Sequence, residues 1–465
     1  MSNGAERMRR EMMIRVVRQF TDNVLEENID KIPLEIRPKG GKPSRCCLYH
    51  DRAVLKYGLM ALLGFDCGAE TDEQKTLSSY LDEMKQSDAA PEVPLTVCTA
   101  GCNGCPDSRV MITSNCRGCF ARPCMFSCPK NAISVDNQQA AIDYSKCIKC
   151  GKCMTVCPFN AILKTTVPCE DACPVGAIHK NEAGVAEIDF TKCIFCGKCY
   201  AHCPFGAIME RSQLLKVLYA IRSGRQVIAL IAPSAQMQFP GTLGQLFSAT
   251  VKAGFSDVME VALGAERTTE NEAKEFVERM LEGQPLMTTS CCSAYVEMVK
   301  KHLPAFLERV SNTPSPMVYA GQMAKEKYPD AFTVFVGPCI AKRYEATLKD
   351  NIDFALTFEE LGAIISGMKI DIMSQEEWPI PRPAAATARN FAKSCGVTEA
   401  VLYELTNTQA FKEKDFKLDS EFINGIDKKT LAKLRLYAMG KLKNNFLEVM
   451  SCPGGCVGGP CSLIK

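Results

Sequence analysis

The feature that most constrains this chain of 465 residues is a cysteine run that occurs twice with the same spacing. The segments CIKCGKCMTVCP and CIFCGKCYAHCP both read C-x2-C-x2-C-x3-C-P, and their cysteines are Cys147, Cys150, Cys153 and Cys157, and Cys193, Cys196, Cys199 and Cys203. In bacterial ferredoxins this run holds a 4Fe-4S cubane on a tight loop, and its fourth cysteine serves a neighbouring cluster. A tetrahedral zinc site accounts for a single C-x2-C pair but not for the repeated C-x3-C-P ending. The run therefore predicts iron-sulfur clusters rather than zinc.

Two further segments extend the array. CRGCFARPCMFSCP is the same run with two extra residues and CEDACP is its second half, and they contribute Cys116, Cys119, Cys124 and Cys128, and Cys169 and Cys173. Of the 27 cysteines, 17 fall between positions 98 and 203. No apolar leader is visible, so we expect a reducing, cytoplasmic location, where clustered cysteines bind metal more often than they form disulfides.

Swapped pairing between the runs assigns the ligands of three clusters. The first takes Cys116, Cys119, Cys124 and Cys157; the second takes Cys147, Cys150, Cys153 and Cys128; the third takes Cys193, Cys196, Cys199 and Cys173. Five thiols then remain for one further cluster of four ligands, namely Cys98, Cys102 and Cys105 of CTAGCNGC, with Cys169 and Cys203. We expect three to four accessory clusters, which would conduct single electrons to another centre.

Charge and hydropathy exclude two classes of partner. The formal net charge is only +2, so the chain lacks the basic field that nucleic acid or an anionic membrane surface requires. No apolar stretch approaches the roughly 18 residues that indicate a membrane span. We therefore expect binding to neither nucleic acid nor membrane.

The cysteine array separates regions with different patterns. We interpret residues 1–95 as mostly helical, 96–210 as ferredoxin-like α+β iron-sulfur modules, and 211–465 as an α/β domain. In the last region helical patterns alternate with the apolar runs QVIALIAP, PLMTTSCC, FTVFVGPC and FLEVMSCPGGC, which predicts parallel strands flanked by helices. Each run ends in a loop with Pro, Ser or Cys, and ligands of open α/β sheets gather at the carboxyl ends of strands. The C-terminal cysteines are therefore expected to converge on one site.

Adjacent cysteines stand at one of these strand ends. Cys291 and Cys292 point to opposite faces of extended chain, and Cys292 with Cys339, Cys452 and Cys456 supplies enough thiolates for one more cubane. The segments TSCCSAY, GPCIAKRYE and EVMSCPGGCVGG closely resemble the three signature loops of the iron-only (FeFe) hydrogenases. The resemblance covers about residues 210–465. It implies a catalytic domain of two lobes with parallel sheets, which interconverts H2 with protons and electrons.

The resemblance also implies a cofactor and its ligands. The family's H-cluster is a 4Fe-4S cubane joined through one cysteine to a di-iron unit that carries carbon monoxide, cyanide and azadithiolate. By resemblance the cubane ligands are Cys292, Cys339, Cys452 and Cys456, the last of them bridging, and Cys291 gives and takes protons. Lys342 would bind one cyanide, Pro233 and Ser234 would contact the other, and Met450 would form an apolar wall. Taken alone, Lys342 would read as a surface lysine and Met450 as a core methionine.

A proton relay is implied in the segment GAERTTENEAKEFVERM. Its members by resemblance, from the surface inward, are Arg279, Glu275, Ser311, Glu272 and Cys291. Glu272, Glu275 and Arg279 are spaced i, i+3 and i+7, along one helix face. A purely structural interpretation is also open, in which Thr269 and Glu272 form a capping box, and Glu275 and Arg279 an ion pair on a solvated face. Because the signature loops are present, we favour the relay.

Some positions depart from the common family pattern. Ser293 and Tyr295 replace Pro and Trp, Gly337 replaces Met, Met317 replaces Gln, and Cys461 is added. These departures are expected to change redox potential, catalytic bias and oxygen behaviour rather than cofactor binding. Four other cysteines lack ligand spacing and are expected to be buried free thiols: Cys46, Cys47, Cys67 and Cys395.

Three functions stay open at this point. The favoured one is a hydrogenase that exchanges electrons with ferredoxin or a similar carrier and depends on hydrogenase maturation proteins. The second is a hydrogen sensor or low-turnover regulatory hydrogenase, which the departures favour and the complete relay disfavours. The third is a non-catalytic relative of the eukaryotic iron-sulfur assembly factors, against which Cys291, Lys342 and the relay argue.

Overall fold

The computed structural model describes residues 3–87, 89–102, 104–106, 108–136, 138–407 and 417–464. The chain divides into two compact units: a larger unit of residues 1–102 and 172–465, and a smaller unit of residues 103–171. The expected boundaries at 95 and 210 do not coincide with this division, because residues 95–97 pair with residues 208–210 inside the larger unit. The division into three domains stays a prediction.

Helices account for much of the described chain. The α-helices, numbered α1 to α19, are Gly4–Thr21, Leu25–Asn28, Ile32–Ile36, Leu48–Leu62, Leu77–Lys85, Pro123–Phe126, Lys152–Thr155, Pro168–Ala172, Lys198–His202, Leu214–Arg222, Leu243–Lys252, Val261–Leu281, Ser293–His302, Pro316–Lys327, Ile340–Ala346, Phe358–Gly367, Ala386–Arg389, Gly396–Asn407 and Lys428–Ala438. The 3-10 helices are Ile29–Lys31, Cys67–Ala69, Pro233–Met237, Pro304–Arg309, Asn390–Ala392 and Cys456–Gly458. None of the described helices is long and apolar enough to cross a membrane.

Strands β1 to β15 form several sheets. Their bounds are Leu95–Val97, Arg109–Ile112, Ile133–Asp136, Gln139–Ile142, Ile162–Thr165, Ile178–Lys180, Ala186–Ile188, Ile208–Glu210, Val227–Ile231, Asp257–Glu260, Met287–Thr288, Phe332–Gly337, Phe354–Thr357, Ser420–Asn424 and Phe446–Met450. The larger unit contains a four-stranded sheet in the order β10-β9-β12-β13 and a three-stranded sheet in the order β11-β15-β14. All strand pairs in these two sheets are parallel.

The four apolar runs that predicted strands form β9, β11, β12 and β15. Every residue of β9 and β15 is buried, as expected for parallel strands covered on both faces. The larger unit is therefore a mixed α/β fold with parallel sheets and many helices, as predicted. The N-terminal helices share one apolar core with the four-stranded sheet, so that Val17 of α1 and Leu230 of β9 belong to the same cluster of buried side chains.

The alternative, purely structural interpretation of the segment with Thr269, Glu272, Glu275 and Arg279 differs from the structure at two points. Helix α12 begins at Val261, so Thr269 lies inside the helix, and its hydroxyl donates to the Ala265 carbonyl at 2.8 Å instead of capping. The pair of Arg279 and Glu275 exists, at 2.7 Å, but the side chains are only 8% and 15% exposed, so the face is not solvated. The purely structural interpretation of this segment therefore fails at both points.

The expectation that Cys46 and Cys47 are buried is also wrong, because both are exposed. Cys47 precedes α4, and its sulfur accepts the backbone N–H of His50 at 3.4 Å as an N-cap. Both cysteines stand just before the first turn of α4, and at this end of the helix their side chains reach solvent. Cys67 is buried as expected, and Cys395 is half-buried.

Candidate functional site

Loops from both parallel sheets surround one cavity in the larger unit. Residues that follow β9, β11, β12 and β15 all line it, as expected for a ligand site at the carboxyl ends of parallel strands. The predicted site residues in its wall are Pro233, Ser234, Cys291, Cys292, Cys339, Lys342, Met450, Cys452 and Cys456. The C-terminal cysteines thus meet at the carboxyl ends of the strands.

The four thiols predicted to hold the cubane act on one another electrostatically. The pKa of Cys452 is raised well above its ordinary value, mainly by burial and further by the thiols of Cys339, Cys292 and Cys456. Burial and two of the same neighbours, Cys339 and Cys292, raise the pKa of Cys456 to about 12. At Cys339 the pKa is raised to about 11 by burial and Cys292, against an opposing contribution from backbone N–H groups in the first turn of α15. Thiolates this close together need the positive charge of bound metal to stay deprotonated.

The polar atoms of the cavity fit an iron-sulfur centre that carries further polar ligands. Ser234 and Ser451 line the cavity, and both hydroxyl oxygens are buried with no hydrogen-bond partner in the described part of the chain. A buried hydroxyl without a partner is costly, so these two indicate a bound group that accepts hydrogen bonds. Among the described residues no three His, Cys, Asp or Glu side chains converge enough to hold a single metal ion.

Cys291 is close to a buried carboxyl group. It is 8% exposed, and burial followed by Glu272 raises its pKa well above the ordinary value. Glu272 on α12 is fully buried, and burial raises its pKa to about 8 although the Ser290 N–H and hydroxyl oppose the shift. The Ser290 N–H donates to Glu272 Oε1 at 3.2 Å, while Oε2 has no partner among the described residues. At neutral pH the Glu272 carboxyl is therefore mostly protonated.

The outer members of the predicted relay form one hydrogen-bonded chain. Arg279 donates to Glu275 Oε1 at 2.7 Å, and Ser311 Oγ donates to Glu275 Oε2 at 2.6 Å. Burial raises the pKa of Glu275, but the Asn312 N–H, Ser311 and Arg279 together lower it below the ordinary value. Glu275 is therefore an anion at neutral pH. Arg279 is 7% exposed, so the relay's outer end is more enclosed than the sequence indicates.

Ser290 and Thr313, which the sequence interpretation missed, connect this chain to Glu272. The Thr313 N–H donates to Ser311 Oγ at 3.1 Å, and the Thr313 carbonyl accepts from Ser290 Oγ at 2.6 Å. Ser290 Oγ in turn lies 3.4 Å from Glu272 Oε1. Ser290 could have been proposed from the sequence because it directly precedes Cys291. For Thr313 the sequence offers only its position two residues after Ser311.

Lys342 is held beside the cavity by Glu345, which the sequence interpretation also missed. Lys342 Nζ donates to Glu345 Oε2 at 2.6 Å, and the hydroxyls of Ser293 and Ser315 donate to the same carboxylate. Burial lowers the pKa of Lys342, but Glu345 outweighs burial and raises it. Burial likewise raises the pKa of Glu345, and Lys342 with the two serines holds it below the ordinary value. With its side chain 12% exposed, Lys342 is an enclosed cation and not a surface lysine.

Two departures from the family pattern have a local explanation. A Cβ atom at Gly337 would lie 2.5 Å from Phe335 Cζ, so the Phe335 ring occupies the space that a larger residue 337 would need. Phe335 itself lines the cavity. Tyr295 is fully buried, and its hydroxyl shares a hydrogen bond of 2.7 Å with Thr288 Oγ1. Nothing in the structure explains why Met317 stands in the cavity wall in place of Gln.

In the smaller unit the predicted cluster ligands gather in two sets. Burial raises the pKa of Cys124, and the thiols that raise it further are Cys119, Cys157 and Cys116. Burial likewise raises the pKa of Cys153, and the thiols that raise it further are Cys150, Cys128 and Cys147. These are the two swapped sets that the spacing predicts. Their role as iron ligands stays a prediction.

The third predicted set lies next to the cavity in the larger unit. Burial raises the pKa of Cys199 far above its ordinary value, and the thiols that add to this are Cys196, Cys193 and Cys173. Cys196 also lines the cavity and contributes to the raised pKa of Cys452. The neighbouring Gly197 has φ of 72°, and a Cβ there would lie 2.7 Å from Pro460 Cγ, so the loop packs closely against the C-terminal segment. No signal in the sequence revealed which accessory set adjoins the cavity.

The five remaining thiols of the array differ in their surroundings. Cys102 and Cys203 accept backbone N–H groups from Ala186 and Ala207 at 3.2 Å and 3.3 Å. Cys98 is fully buried, Cys169 is buried and Cys105 is half-buried. Their roles as ligands of a fourth cluster stay predictions.

Two family models match the chain. The model of the iron only hydrogenase large subunit, C-terminal domain, matches residues 225–460, just over half of the chain. The model of the 4Fe-4S binding domain matches residues 140–163 and 186–209. The first match covers most of the cavity wall, and the second covers the two cysteine runs with identical spacing.

Individual relatives cover a part of the chain. It is 28% identical over 382 residues to iron hydrogenase 1 of Clostridium pasteurianum, an alignment that covers 70% of this chain and 64% of the relative. It is 24% identical over 260 residues to a probable cytosolic Fe-S cluster assembly factor of Aedes aegypti, covering 45% and 54%. A solved FeFe-hydrogenase of Chlamydomonas reinhardtii aligns at 23% identity with a TM-score of 0.45, over 53% of this chain and 84% of that one.

The chain thus spans less than two thirds of the length of the curated relatives it matches. The match to the hydrogenase model nevertheless extends over more than half of the chain, and the matched residues carry the cavity with its cysteine loops. Iron-sulfur cluster binding follows from the second model and from the clustered thiols. This chain belongs to the iron-only hydrogenase family.

Proposed function

We propose that this chain is an FeFe hydrogenase that interconverts H2 with two protons and two electrons. The observation that carries the proposal is the surroundings of Cys291. Its thiol lies next to the four-thiol set without belonging to it, and the fully buried carboxyl of Glu272 acts on it. A chain that only bound a cubane would have no use for a second thiol beside a buried acid.

The residues around the cavity are suited to hold an H-cluster. Cys292, Cys339, Cys452 and Cys456 would hold the cubane, with Cys456 as the bridge. Lys342 Nζ and Ser234 Oγ would donate to the cyanide groups, and Pro233 and Met450 would keep water away from them. When bound, this group supplies the redox centre at which protons and H2 interconvert.

The chain's own residues would move protons to and from the cavity. The Cys291 thiol would release its Sγ proton at the cavity and take in its place the proton that the Glu272 carboxyl holds at neutral pH; in the reverse direction Cys291 would return a proton to the Glu272 carboxylate. Because the Glu272 pKa is about 8, both protonation states are populated near neutral pH, so transfer in either direction is possible. The anionic Glu275, held by Arg279, keeps Ser311 oriented and supplies the next acceptor.

Electrons would reach the cavity through the accessory clusters. The accessory cluster nearest the cavity would be the one held by Cys173, Cys193, Cys196 and Cys199, because Cys196 lines the cavity. The remaining array would extend this path to ferredoxin or a similar carrier. Arg and Lys do not dominate the chain, so recognition of that carrier depends on a local surface rather than on overall charge.

Infrared spectroscopy of protein produced with hydrogenase maturation proteins tests the proposal. We expect bands of iron-bound carbon monoxide and cyanide, together with H2 oxidation and proton reduction in the same sample. A sample whose cubanes are fully loaded but which shows neither bands nor turnover would contradict the proposal.

A low-turnover regulatory or sensing hydrogenase is the second candidate. It is favoured by the Phe335 ring in the cavity wall beside Gly337, where family members commonly carry Met. This candidate predicts the infrared bands with little turnover at saturating H2. The similarity to an assembly factor points to a third outcome, loaded cubanes without the bands, which Cys291 and its acid disfavour.

A further inference from the structure

The strand framework of the smaller unit recurs in the larger unit. In the smaller unit the first strand β2 pairs with the last strand β5, and β3 and β4 form a hairpin between them. In the larger unit β1 pairs with β8, and β6 and β7 form the hairpin. All four pairs are antiparallel. The two 4Fe-4S model matches fall on the second half of each framework, from β4 to β5 and from β7 to β8.

Hydrogen bonds from backbone N–H groups to sulfur repeat as well. In each framework the cysteine before a proline accepts the N–H of an alanine four residues later, at 3.2 to 3.4 Å. The donor and acceptor pairs are Ala132 to Cys128 and Ala161 to Cys157 in the smaller unit, and Ala177 to Cys173 and Ala207 to Cys203 in the larger unit. Cys203 is thus the counterpart of Cys157, a predicted cluster ligand.

A third bond of this kind identifies the counterpart of Cys116, the first thiol of the smaller unit's run. Cys116 accepts the N–H of Ala140 in the second hairpin strand β4, at 3.4 Å. Cys102 accepts the N–H of Ala186 in the second hairpin strand β7, at 3.2 Å. The position of Cys102 in its framework is therefore the position of Cys116.

Cys98 matches a residue that is not a cysteine. The Cys98 N–H donates to the Ala207 carbonyl at 2.8 Å, just as the Thr113 N–H donates to the Ala161 carbonyl at 2.8 Å. The Thr113 hydroxyl accepts a backbone N–H two residues later at 3.4 Å. Backbone N–H groups of the residues two and three positions later likewise lower the pKa of Cys98. Cys98 thus takes the place of a threonine that stabilises a turn.

The surroundings of Cys98 agree with a packing role. Its side chain is fully buried in an apolar cluster with Val54, Ala61, Cys67 and Met209. Burial is the largest contribution to its pKa, which is raised to about 11. A small apolar thiol in such a cluster behaves as a hydrophobic residue.

We infer that the segments of the larger unit around β1 and from residue 172 to β8 repeat the two-cluster ferredoxin framework, and that Cys102 and Cys203 are ligands of the fourth accessory 4Fe-4S cluster while Cys98 binds no metal. The other two ligands stay predictions from sequence spacing alone: Cys105 follows Cys102 as Cys119 follows Cys116, and Cys169 precedes Cys173 as Cys124 precedes Cys128. The inference rests on the iron-sulfur role proposed for the array, but not on hydrogen turnover.

Iron and sulfide analysis of protein produced without maturation proteins tests the inference. Five cubanes, four accessory and one in the cavity, correspond to about 20 iron atoms per chain. Cys98→Ala is expected to keep all of them and the integrated electron paramagnetic resonance intensity of the reduced protein. Cys102→Ala and Cys203→Ala are each expected to lose about four iron atoms. Cys116→Ala is the matched control in the smaller unit and is expected to lose the same number.

The outcomes separate this inference from the iron-sulfur proposal itself. Loss of about four iron atoms in Cys98→Ala, or their retention in both Cys102→Ala and Cys203→Ala, overturns the inference. If Cys116→Ala also keeps its iron, the iron-sulfur role of the array fails instead. Should one of the two ligand variants not accumulate, the other decides, and circular dichroism checks that the variant compared has folded.

Discussion

Glu272 and Glu345 are two largely enclosed glutamates that act on side chains of the same cavity, yet their pKa values move in opposite directions. Glu345 accepts hydrogen bonds from Lys342 and two serines, and its pKa is held below the ordinary value. Glu272 accepts hydrogen bonds from Ser290, and the charged side chains that act on it most are the carboxylates Glu275 and Glu448, so burial raises its pKa to about 8. One carboxyl is therefore a fixed anion, and the other carries a proton at neutral pH.

The difference shows that the surroundings of a glutamate decide whether it is ionised or protonated at neutral pH, and therefore which role it can have. A carboxylate with a cation and several donors keeps its charge and can anchor Lys342 at the cavity wall. A carboxyl in apolar surroundings is an acid close to the operating pH, which is the property that proton transfer requires. The following predictions test this division.

The largest effect is expected at the thiol that Glu272 serves. Cys291→Ala should lose turnover by about 10⁴-fold, the upper end of what a positioned acid contributes, because the proposed relay then no longer has a member in the cavity wall. Infrared bands of the cofactor should persist, since no cluster ligand is removed. Cys292→Ala is the control, and it should lose or damage the cubane. Turnover within tenfold of the unchanged protein in Cys291→Ala would show that another group carries the proton.

Glu272→Gln should reduce turnover by about 10²- to 10³-fold with the cofactor bands intact. The amide oxygen can still accept from Ser290, and the shape is kept, but the side chain no longer releases a proton. Steady-state H2 oxidation measures the effect. Glu272→Asp, which keeps the acid on a shorter side chain, is the comparison variant and should retain more activity. Equal turnover in Glu272→Gln and the unchanged protein would remove Glu272 from the relay.

Glu345→Gln should act on stability. The variant leaves Lys342 enclosed without its counter-ion, and breaking a buried ion pair on one side typically costs about 3–5 kcal/mol. Anaerobic denaturant unfolding measures the loss. The double variant Lys342→Met with Glu345→Gln removes both charges and should recover part of it. If Glu345→Gln unfolds at the same denaturant concentration as the unchanged protein, the pair does not hold Lys342 in place.

The two carboxyls should also give opposite dependences of stability on pH. The folded pKa of Glu272 is raised from 4.5 to about 8, so its contribution is fully favourable below pH 4.5 and is lost as pH rises to about 8. The folded pKa of Glu345 is lowered, so its contribution is present above its ordinary value of 4.5 and is lost as pH falls. Compared with the unchanged protein, the unfolding midpoint of Glu272→Gln should therefore fall less as the pH rises towards 8. The midpoint of Glu345→Gln should fall less as the pH is lowered below 4.5. If both variants weakened the pH dependence of stability in the same pH range, the two carboxyls would not have the opposite protonation states described here.

The smallest effect is expected at Ser293, one of the departures from the family pattern. Its hydroxyl donates to the Glu345 carboxylate, so Ser293→Ala should lower stability by about 1.5–3 kcal/mol and leave Lys342 paired. The unfolding midpoint measures this, with Ser315→Ala as the matched variant that removes the other serine donor. A loss as large as that of Glu345→Gln would mean that Ser293 has a role beyond this hydrogen bond.

Much of the site could be predicted from the sequence because its residues follow buried strands directly. The apolar runs before Cys291, Cys339 and Cys452 form parallel strands, and the carboxyl ends of such strands lie at one edge. Cysteine spacing likewise predicted the thiol sets of the smaller unit, since three thiols of each set lie on one short segment. Both predictions rest on local patterns that the fold cannot easily change.

The rest depends on contacts between distant segments. The pairing of Thr313 with Ser290 and the approach of Cys196 to the cavity arise from packing that no spacing rule specifies. The capping box at Thr269 was wrong because the T-x-x-E signature does not reveal that α12 begins eight residues earlier, directly after β10. Local signatures identify chemistry well, but they do not locate the ends of an element or its distant partners.

The central claim is that Glu272 carries a proton at neutral pH and Glu345 does not. Infrared difference spectra between the unchanged protein and each Gln variant, recorded at pH 7 in H2O and D2O, test it most directly. We expect the Glu272→Gln difference to remove a band of a protonated carboxylic acid that shifts in D2O. The Glu345→Gln difference should instead remove only bands of an ionised carboxylate. A Glu272→Gln difference at pH 7 that shows carboxylate bands and no band of a protonated carboxylic acid would contradict the account.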